Sequence, residues 1–372
     1  MNELLLTNLI RSLNFRRIGN IIKSSSSFAL SAITGRPIAW GIPPVLTIEP
    51  TNLCNLHCPL CTTGAGEMER VTGKMTLETF KELIDKIGDD IFFLLVYHQG
   101  EPYLNKHFFD FVKKAKDKNI YVTTSTNGHY FSEENIQKTF ACGLDSMIVS
   151  IDGATQDSYE KYRVGGRLDK VIEGTKNLIH AKKQRKIRTP NVALQFLVMK
   201  HNESEIREIK KLANEIGVDR LLIKNIEVRS KAEAEEWLPR EEDFRRYNYN
   251  GSDLKVKNAD KKYCARPWTS TLVNWDGTIV PCCFDKNGKY PMGSIHAASK
   301  MESIWQGENI TKFRTQLLKD RRSIDICKNC NMGFGSFLSE KNWIKFLDPV
   351  RSKKIKSEIV VNSQVDSSTN KI

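Results

Sequence analysis

The chain has 372 residues, of which 40% are hydrophobic and 27% are charged, so it can bury the cores of one large and one smaller globular domain. It contains no run of about 18 or more apolar residues and no good signal peptide, which argues against the membrane-spanning and secreted classes. The net charge of +13 fits a lysine-rich surface. The more specific alternative is that the charge binds an acidic partner protein or an anionic membrane. Nucleic acid is the least expected partner because no binding motif is present.

The nine cysteines give a second constraint. Most of them fall in closely spaced groups, which favours metal ligation in a reducing compartment over disulfide bonds. We therefore expect a cytoplasmic protein.

Residues 1–43 form an amphipathic extension that precedes the first strand signal. The serine run at 24–27 is expected to interrupt it. Two interpretations are open. Either the segment packs as an arm on the main domain, which we favour, or it is a surface helix that makes a peripheral contact with a membrane.

Between residues 45 and 226, short β-rich runs alternate with longer amphipathic stretches. This alternation predicts parallel strands joined by right-handed helical crossovers, in a partial barrel or an open doubly wound sheet. In both folds, ligands bind at the carboxyl ends of the strands. The expected strands are residues 45–50, 91–97, 120–126, 146–152, 192–199 and 220–226.

Unusual polar residues follow four of these strands. The stretch CNLHCPLC at 54–61 follows the first strand, residues 98–102 follow the second, Asn127 the third, and Asp152 closes the fourth. Because parallel strands end at one rim, we expect all of them in one site.

The pattern changes after the sixth strand. Residues 231–263 are charged, give no strand signal, and are expected to form a helix and a linker. Two β-type runs then flank Asp276-Gly277, a signal for a type I′ hairpin. A helical stretch and the pair Cys327 and Cys330 follow, and residues 339–372 are expected to be a basic, partly disordered tail.

Cys54, Cys58 and Cys61 have the spacing C-x3-C-x2-C. Three thiolates on a four-iron cube leave one iron without a protein ligand. An open position distinguishes a reactive metal site from a structural one, and such an iron can accept the amino and carboxylate groups of a small molecule. The alternative is a structural zinc knuckle that uses His57 as fourth ligand.

This spacing resembles the signature of the radical S-adenosylmethionine (SAM) superfamily, and the resemblance covers about residues 44 to 226. It implies a partial (β/α)6 barrel, here expected over 44–230, and a 4Fe–4S cluster that binds SAM. It also implies reductive cleavage of SAM to a 5′-deoxyadenosyl radical, which abstracts a hydrogen atom from the substrate.

Further segments match the family. Residues 99–102, QGEP, resemble its GGEP segment, and Glu101 suits the SAM amino group although glutamine replaces the first glycine. Asp152 lies in a segment that resembles the ribose-binding strand end. Arg163 occupies the place of an arginine that faces the SAM carboxylate; the alternative is a surface arginine. The resemblance implies cofactor contacts from Gln99, Gly100, Glu101, Pro102, Ser125, Asn127, Ser150, Asp152, Arg163 and Val198, the last of which is otherwise a core residue.

A second cysteine group can form a closed site of four thiolates, either an iron–sulfur cube or an all-cysteine zinc site. Cys283 competes with Cys282, since neighbouring strand residues face opposite sides. Cys142 is expected to be a small buried hydrophobe. The expected ligands are Cys264, Cys282, Cys327 and Cys330.

The region around this group, expected as a domain over 264–338, resembles the SPASM domain of many radical SAM enzymes. No cysteine follows Cys330, so one auxiliary 4Fe–4S cluster is expected, as in the shortened twitch form. The spacing is similar to that of a twitch-domain dehydrogenase that acts on an aminocyclitol alcohol.

The resemblance therefore implies an oxidoreductase or a maturase. The substrate is expected to be a sugar-like or aminocyclitol-like small molecule or a peptide; a peptide- or protein-modifying SPASM maturase is the alternative, and a non-catalytic electron carrier a distant one. Candidate bases are His98 and Asp285, with a turn role as the alternative for Asp285. The expected reductant is a flavodoxin or ferredoxin, acidic donors that suit the positive charge.

Overall fold

The structure, a computed structural model of the chain, describes residues 3–257, 263–328 and 330. The expected tail at 339–372 and the end of the expected auxiliary domain, 331–338, lie outside the described residues. All six strands expected between residues 45 and 226 are present. The strands, in chain order, are β1 (Val45–Ile48), β2 (Phe93–Val96), β3 (Tyr121–Thr126), β4 (Ser146–Ser150), β5 (Asn191–Val198), β6 (Arg220–Asn225), β7 (Tyr247–Tyr249), β8 (Leu254–Val256), β9 (Ser270–Val273), β10 (Thr278–Val280) and β11 (Gly293–Ser294).

Strands β1 to β6 lie side by side in chain order, and each pairs in parallel with the next. Their outer face, with Leu46 and Val96, is fully buried in the core that the helices share. The inner face is more polar: the Ser146 hydroxyl donates to Thr123 Oγ1 at 2.7 Å. The expected α/β fold, a partial (β/α)6 barrel, is confirmed. The helices are α1 (Glu3–Arg11), α2 (Phe15–Thr34), α3 (Leu77–Ile87), α4 (Phe108–Asp117), α5 (Glu133–Ala141), α6 (Gln156–Tyr162), α7 (Leu168–Gln184), α8 (Ile206–Ile216), α9 (Lys231–Trp237), α10 (Arg266–Thr269), α11 (Met301–Trp305), α12 (Glu308–Asp320) and α13 (Asp325–Lys328).

The hairpin around Asp276 is present, with β9 and β10 antiparallel. Its turn is not the expected type I′, because that turn needs a positive φ at both central residues and Asp276 does not have one. Instead, Gly277 has φ 82° and its N–H donates to the Asn274 carbonyl at 3.0 Å, which closes a three-residue loop. β9 also pairs in parallel with β1, Ser270 lying opposite Val45, a junction that the sequence did not predict.

Residues 231–263 contain more than a helix and a linker. α9 is the expected helix, but β7 and β8 form an antiparallel hairpin where no strand signal was present. Tyr247 and Val256 of this hairpin are buried in the same apolar cluster as Leu56 and Cys58 of the cysteine loop. The prediction of a plain connection is wrong because tertiary burial, rather than local pattern, stabilises these strands.

The amino-terminal segment packs on the barrel through α1 and α2, as the favoured interpretation predicts. The serine run does not interrupt α2, because polar side chains of the helix bond to the main chain just before β1. The Ser24 hydroxyl and the Asn20 amide donate to the Ile42 carbonyl at 2.9 and 3.0 Å. Phe28 meets Trp268 edge-on, with ring centroids 5.3 Å apart. Among the described residues, no helix combines the length and the apolar character needed to cross a membrane.

Arg17 anchors this packing. Its buried guanidinium donates to four main-chain oxygens, those of Ser12 (2.5 Å), Gly88 (3.0 Å), Lys118 (2.6 Å) and Asn119 (2.9 Å). Burial lowers the pKa of Arg17, so these carbonyl oxygens are what compensate its lost hydration.

Replacing Arg17 with alanine should lower the free energy of unfolding by about 3 kcal/mol, because four oxygens lose their donor. The matched control is Arg16→Ala. Arg16 is exposed and pairs with Asp90 at 2.6 Å, so its loss should lower stability by less than about 1 kcal/mol. Denaturant unfolding curves measure both losses, and equal losses would contradict the anchoring role.

Candidate active site

The cysteine loop begins six residues after β1 and buries its thiols to different extents. Cys58 is buried, Cys54 and Cys61 are partly buried, and all three are free thiols. The Cys61 N–H donates to the Cys58 carbonyl at 3.1 Å, which folds the loop back on itself. Burial raises the pKa of Cys58 to about 11 and also raises that of Cys54. His57 is exposed, so it does not join the buried thiols.

The segment after β2 packs closely against the main chain just before the cysteine loop, and a glycine makes this possible. Gly100 has φ 73°, and a Cβ there would lie 2.5 Å from the carbonyl oxygens of Thr51 and Leu53. The next amide, that of Glu101, donates to the Leu53 carbonyl at 2.8 Å. Only glycine allows this approach, and it brings Gln99 Oε1 to 4.0 Å from the Cys61 sulfur.

Glu101 joins the ends of β2 and β3. Its carboxylate accepts the Thr126 hydroxyl (2.8 Å), the Asn127 N–H (2.7 Å) and the Tyr103 N–H (3.2 Å). Burial raises the pKa of Glu101 to about 7, and these hydrogen bonds oppose that rise. The Asn127 amide in turn donates to Asn55 Oδ1 at 2.8 Å and lies 3.9 Å from the Cys54 sulfur.

Arg163 and Asp152 form a buried ion pair beside the thiols. Arg163 Nε donates to Asp152 Oδ2 at 2.6 Å, and Nη1 lies 3.9 Å from the Cys58 sulfur. Burial alone would lower the pKa of Arg163, but Asp152 and Cys58 raise it well above its ordinary value. With its side chain 14% exposed, Arg163 is not a surface arginine. The other oxygen of Asp152 accepts the Leu197 N–H at 2.7 Å.

The remaining expected cofactor residues differ in where they lie. Ser125 and Ser150 share the inner face of the barrel with Thr123 and Ser146, which lie two residues before Ser125 and four residues before Ser150 on their strands. Pro102 starts a short 3₁₀ turn after the glycine loop. Val198 is fully buried in the core outside the barrel, whereas its neighbour Leu197 packs against the cysteine-loop cluster.

The linker segment covers the cysteine loop, a role the sequence analysis missed. Trp237 of α9 meets Tyr162 edge-on at 5.6 Å between ring centroids. Both side chains belong to the apolar cluster that includes Leu56 and Cys58. This cover encloses Cys58, while Cys54 and Cys61 stay partly exposed. The only sequence signal for it was a few isolated aromatic residues, such as Trp237 and Tyr247, in a charged stretch.

The cysteines of the second group also lie near one another. The Cys330 N–H donates to the Cys327 carbonyl at 3.2 Å. Burial raises the pKa of Cys327 to about 12, and the nearby thiols of Cys264 and Cys330 raise it too. Cys282 lies close enough to Cys264 for that thiol to contribute to its raised pKa, after burial and Cys283.

Positive charge accompanies this group as well. Arg266 Nη1 donates to the Cys283 sulfur at 3.4 Å. Burial alone would lower the pKa of Arg266, but the thiols of Cys283 and Cys282 raise it. Within the described ranges, no three His, Cys, Asp or Glu side chains converge on the point that a single metal ion needs; a four-iron cube takes one thiolate at each iron.

A buried ion pair joins the two cysteine regions. Arg70 binds both oxygens of Glu49, at 2.6 and 2.9 Å, and its Nε donates to the Lys286 carbonyl at 2.9 Å. Burial raises the pKa of Glu49 and Arg70 opposes this rise. Glu49 follows β1, and Lys286 lies four residues after Cys282 of the second cysteine group, so this pair fixes one region against the other.

The two candidate bases have opposite surroundings. Burial lowers the pKa of His98 to about 3, with Arg70 and Lys286 adding to the effect, so the ring is neutral at pH 7. Its Nε2 is buried and has no hydrogen-bond partner among the described residues. Asp285 accepts the N–H groups of Lys289 (2.7 Å) and Tyr290 (2.9 Å), which is the turn role weighed as its alternative.

Lys224 on β6 is a residue that sequence reasoning missed. Burial lowers its pKa to about 8, and Asp152 opposes the shift. A lysine that titrates near neutral pH beside the proposed cofactor pocket is a candidate for proton transfer. Its strand run, RLLIKN, gave no signal beyond two charged residues, Arg220 and Lys224, on one side of the strand.

Two family models match the chain. The first describes the radical SAM superfamily and matches residues 48–213. The second describes an iron–sulfur cluster-binding domain, SPASM, and matches residues 264–331. The chain belongs to the radical SAM superfamily. Its activity is therefore the reductive cleavage of SAM at a 4Fe–4S cluster to a 5′-deoxyadenosyl radical, which abstracts a hydrogen atom from a substrate, with an auxiliary cluster that assists oxidation or electron transfer.

Relatives of this radical SAM enzyme are enzymes of several kinds. It is 24% identical over 297 residues to the tungsten-containing aldehyde ferredoxin oxidoreductase cofactor-modifying protein of Pyrococcus furiosus, covering 72% of this chain and 82% of that protein. It is 23% identical over 310 residues to a mycofactocin maturase of Mycolicibacterium smegmatis, covering 77% and 75%. It is 30% identical over 192 residues to the pre-heme d1 synthase of Dinoroseobacter shibae, covering 51% of this chain and 45% of that protein.

Solved structures share the fold of this radical SAM enzyme. BtrN in complex with AdoMet and 2-DOIA aligns with a TM-score of 0.52 at 20% identity, covering 82% of this chain and 99% of that one. Streptococcus suis SuiB bound to S-adenosylmethionine aligns with a TM-score of 0.57 at 14% identity, covering 83% and 76%. At these identities the likeness establishes the fold.

The affinity of this radical SAM enzyme for SAM should rise between pH 6 and pH 8. The pKa of Glu101 is raised to about 7, so the carboxylate that would accept a hydrogen bond from the SAM amino group forms only as pH increases through that value. Equilibrium dialysis with labelled SAM measures the effect. Glu101→Gln should bind about tenfold more weakly at pH 8 and lose the pH dependence; a variant that kept the wild-type pH profile would contradict the role of Glu101.

Proposed function

We propose that Cys54, Cys58 and Cys61 hold the SAM-binding cluster without a fourth side chain. The shared burial of these thiols, the exposure of His57 and the cationic Arg163 beside Cys58 support this. Around it, the proposed SAM contacts are Gln99, Gly100, Glu101, Pro102, Ser125, Asn127, Ser150, Asp152 and Arg163. Val198, expected from the sequence, is left out because its side chain lies in the core outside the barrel. The barrel limits of 44–230 and the auxiliary-domain limits of 264–338 are part of the same proposal.

The second group is proposed to hold one auxiliary 4Fe–4S cluster through Cys264, Cys282, Cys327 and Cys330. Cys264 and Cys330 are 7% and 6% exposed, and residues 331–372 contain no cysteine that could ligate a further cluster. A complete set of four thiolates is typical of an electron-transfer site rather than of a site open to substrate.

The proposed substrate is a small sugar-like or aminocyclitol-like alcohol. The observation that carries this proposal is the buried, unpartnered Nε2 of His98, which lies near Arg70 and Lys286, between the two cysteine regions. A buried polar atom needs a partner, and a substrate hydroxyl can supply one. BtrN, whose fold is similar, was solved in complex with AdoMet and 2-DOIA, so this fold can bind a small ligand together with AdoMet.

Such an alcohol would be oxidised to a carbonyl compound. With both groups bound, SAM would supply the abstraction of the carbon-bound hydrogen atom, and a cluster held by Cys264, Cys282, Cys327 and Cys330 would supply the acceptor for the second electron. The hydroxyl proton would pass to a base of the protein. Neutral His98 can orient the hydroxyl but is a weak proton acceptor at a pKa of about 3. Asp285 has both oxygens in main-chain hydrogen bonds, so its role as base stays a prediction.

Peptide modification is the second candidate. It is favoured by the mycofactocin maturase, which is similar over 77% of this chain. For either substrate, we propose that the enzyme works in the cytoplasm, since its nine cysteines, most of them in closely spaced groups, suit a reducing compartment. An acidic flavodoxin or ferredoxin is the proposed reductant for a chain of net charge +13.

Deuterium transfer tests the substrate class. We expect mass spectrometry to detect deuterium in 5′-deoxyadenosine after turnover with a carbon-deuterated amino sugar or aminocyclitol. His98→Leu should reduce the transfer about tenfold, because a hydroxyl loses its partner, while SAM cleavage continues. His180→Leu, at an exposed histidine of α7, is the matched control. Transfer from deuterated peptides but not from any alcohol would replace this proposal by the second candidate.

Metal analysis tests the auxiliary ligands. The double variant Cys327→Ala, Cys330→Ala should lose about four irons per chain and no zinc. Cys142→Ala removes a buried thiol outside both groups and should keep the wild-type iron content. An unchanged iron content in the double variant would exclude the proposed auxiliary cluster.

A further inference from the structure

Helix α2 buries polar side chains and exposes apolar ones, which is the opposite of an ordinary surface helix. Its buried face is mostly polar, and its exposed face is mostly apolar. At about 100° per residue, the centres of the two faces lie roughly 160° apart. The buried face consists of Arg17, Asn20, Ser24, Ser27, Phe28 and Ser31, and the exposed apolar face of Phe15, Ile18, Ile22, Ala29 and Ile33.

The polar face is fixed in place by its hydrogen bonds. The Ser27 hydroxyl accepts the Trp40 N–H at 2.8 Å, and the Ser31 hydroxyl accepts the Ile38 N–H at 2.9 Å. Together with the bonds of Ser24 and Asn20 to the Ile42 carbonyl, they hold residues 38–42 against the helix. Rotating α2 to bury its isoleucines would break this set, so the apolar side must face outward.

The exposure of this apolar side is large. Phe15 is 96% exposed, Ile33 81%, Ile22 59% and Trp40 54%. Most of the exposed large hydrophobic side chains in the described part of the chain lie between residues 10 and 40. A concentration of this kind marks an interaction surface rather than scattered surface residues.

The segment that carries this surface has a net positive charge, with Arg16 at its border paired to Asp90 at 2.6 Å. The first 48 residues contain five Arg and Lys residues and one acidic residue. Arg16 and Lys23 are exposed and lie along one border of the apolar face, and Arg36 is exposed just beyond its end. An apolar helix face with aromatic residues at its ends and basic residues at its border is the arrangement found in helices that lie in the interface of anionic membranes.

We propose that the exposed face of α2, with Trp40, docks on the surface of an anionic lipid bilayer. Leu9, Leu13 and Ile21 pack against Val45 and Tyr121, which lie at the amino-terminal starts of β1 and β3. The docking face therefore lies at the end of the barrel opposite the cysteine rim. An enzyme bound in this way keeps its active site turned toward the aqueous phase, where substrate and reductant can reach it.

Vesicle flotation tests the proposal with the full, anaerobically reconstituted chain. We expect it to float with vesicles of equal parts phosphatidylglycerol and phosphatidylcholine. Binding to pure phosphatidylcholine vesicles should be at least about tenfold weaker, and so should binding of the triple variant Ile18→Ser, Ile22→Ser, Ile33→Ser to the anionic vesicles. Val71→Ser, at a residue that is 77% exposed elsewhere on the surface, should bind like wild type.

Two control measurements separate lost membrane binding from lost folding. Unchanged circular dichroism and unchanged 5′-deoxyadenosine release by the triple variant in solution show that lost binding is not lost folding. A wild-type chain that does not float with anionic vesicles overturns the proposal. So does a dimer, seen by sedimentation, that the triple variant converts to monomers, since a second copy would then cover the face.

Discussion

Strand β1 pairs in parallel on both sides, with β2 on one edge and β9 on the other, and the rest of the site depends on this constraint. It makes the auxiliary hairpin a continuation of the barrel sheet. The Glu49–Arg70 pair, with Arg70 bonded to the Lys286 carbonyl, adds a buried polar contact at the same junction. The loop with Cys54, Cys58 and Cys61 follows β1 and Cys282 follows β10, so strands of one sheet carry the first cysteine group and one cysteine of the second, about 200 residues apart in the sequence.

Buried cations accompany both groups of thiols. Arg163 lies beside Cys58, and Arg266 beside Cys283, and each arginine has its pKa raised by neighbouring negative charge. Burial disfavours thiolates, and a nearby guanidinium offsets part of that penalty. The apolar cover that contains Trp237 then encloses Cys58, the buried thiol of the first group. Charge compensation and an apolar cover are both suited to a reduced, oxygen-sensitive centre.

The parts of the fold that local pattern controls could be predicted from the sequence. The six strands have β-rich runs, and the parallel rule alone brings Glu101, Asn127 and Asp152 to one rim. The β7–β8 hairpin, the β1–β9 pairing and the continuity of α2 could not be predicted, because each depends on distant partners. The serines of α2 can be buried only because the Ile42 carbonyl oxygen and the main-chain N–H groups of residues 38 and 40 lie opposite them and form hydrogen bonds with their hydroxyls. Lys224 was missed for the same reason, since its lowered pKa arises from burial.

The central claim is that three thiolates hold a cluster that binds and cleaves SAM. The most direct measurement is the 5′-deoxyadenosine released when anaerobically reconstituted protein is mixed with SAM and dithionite. We expect release by the wild-type chain and none by Cys58→Ala, whose auxiliary cysteines are intact. Equal release by both proteins, or no release by a wild-type chain that shows its cluster spectrum, would contradict the claim.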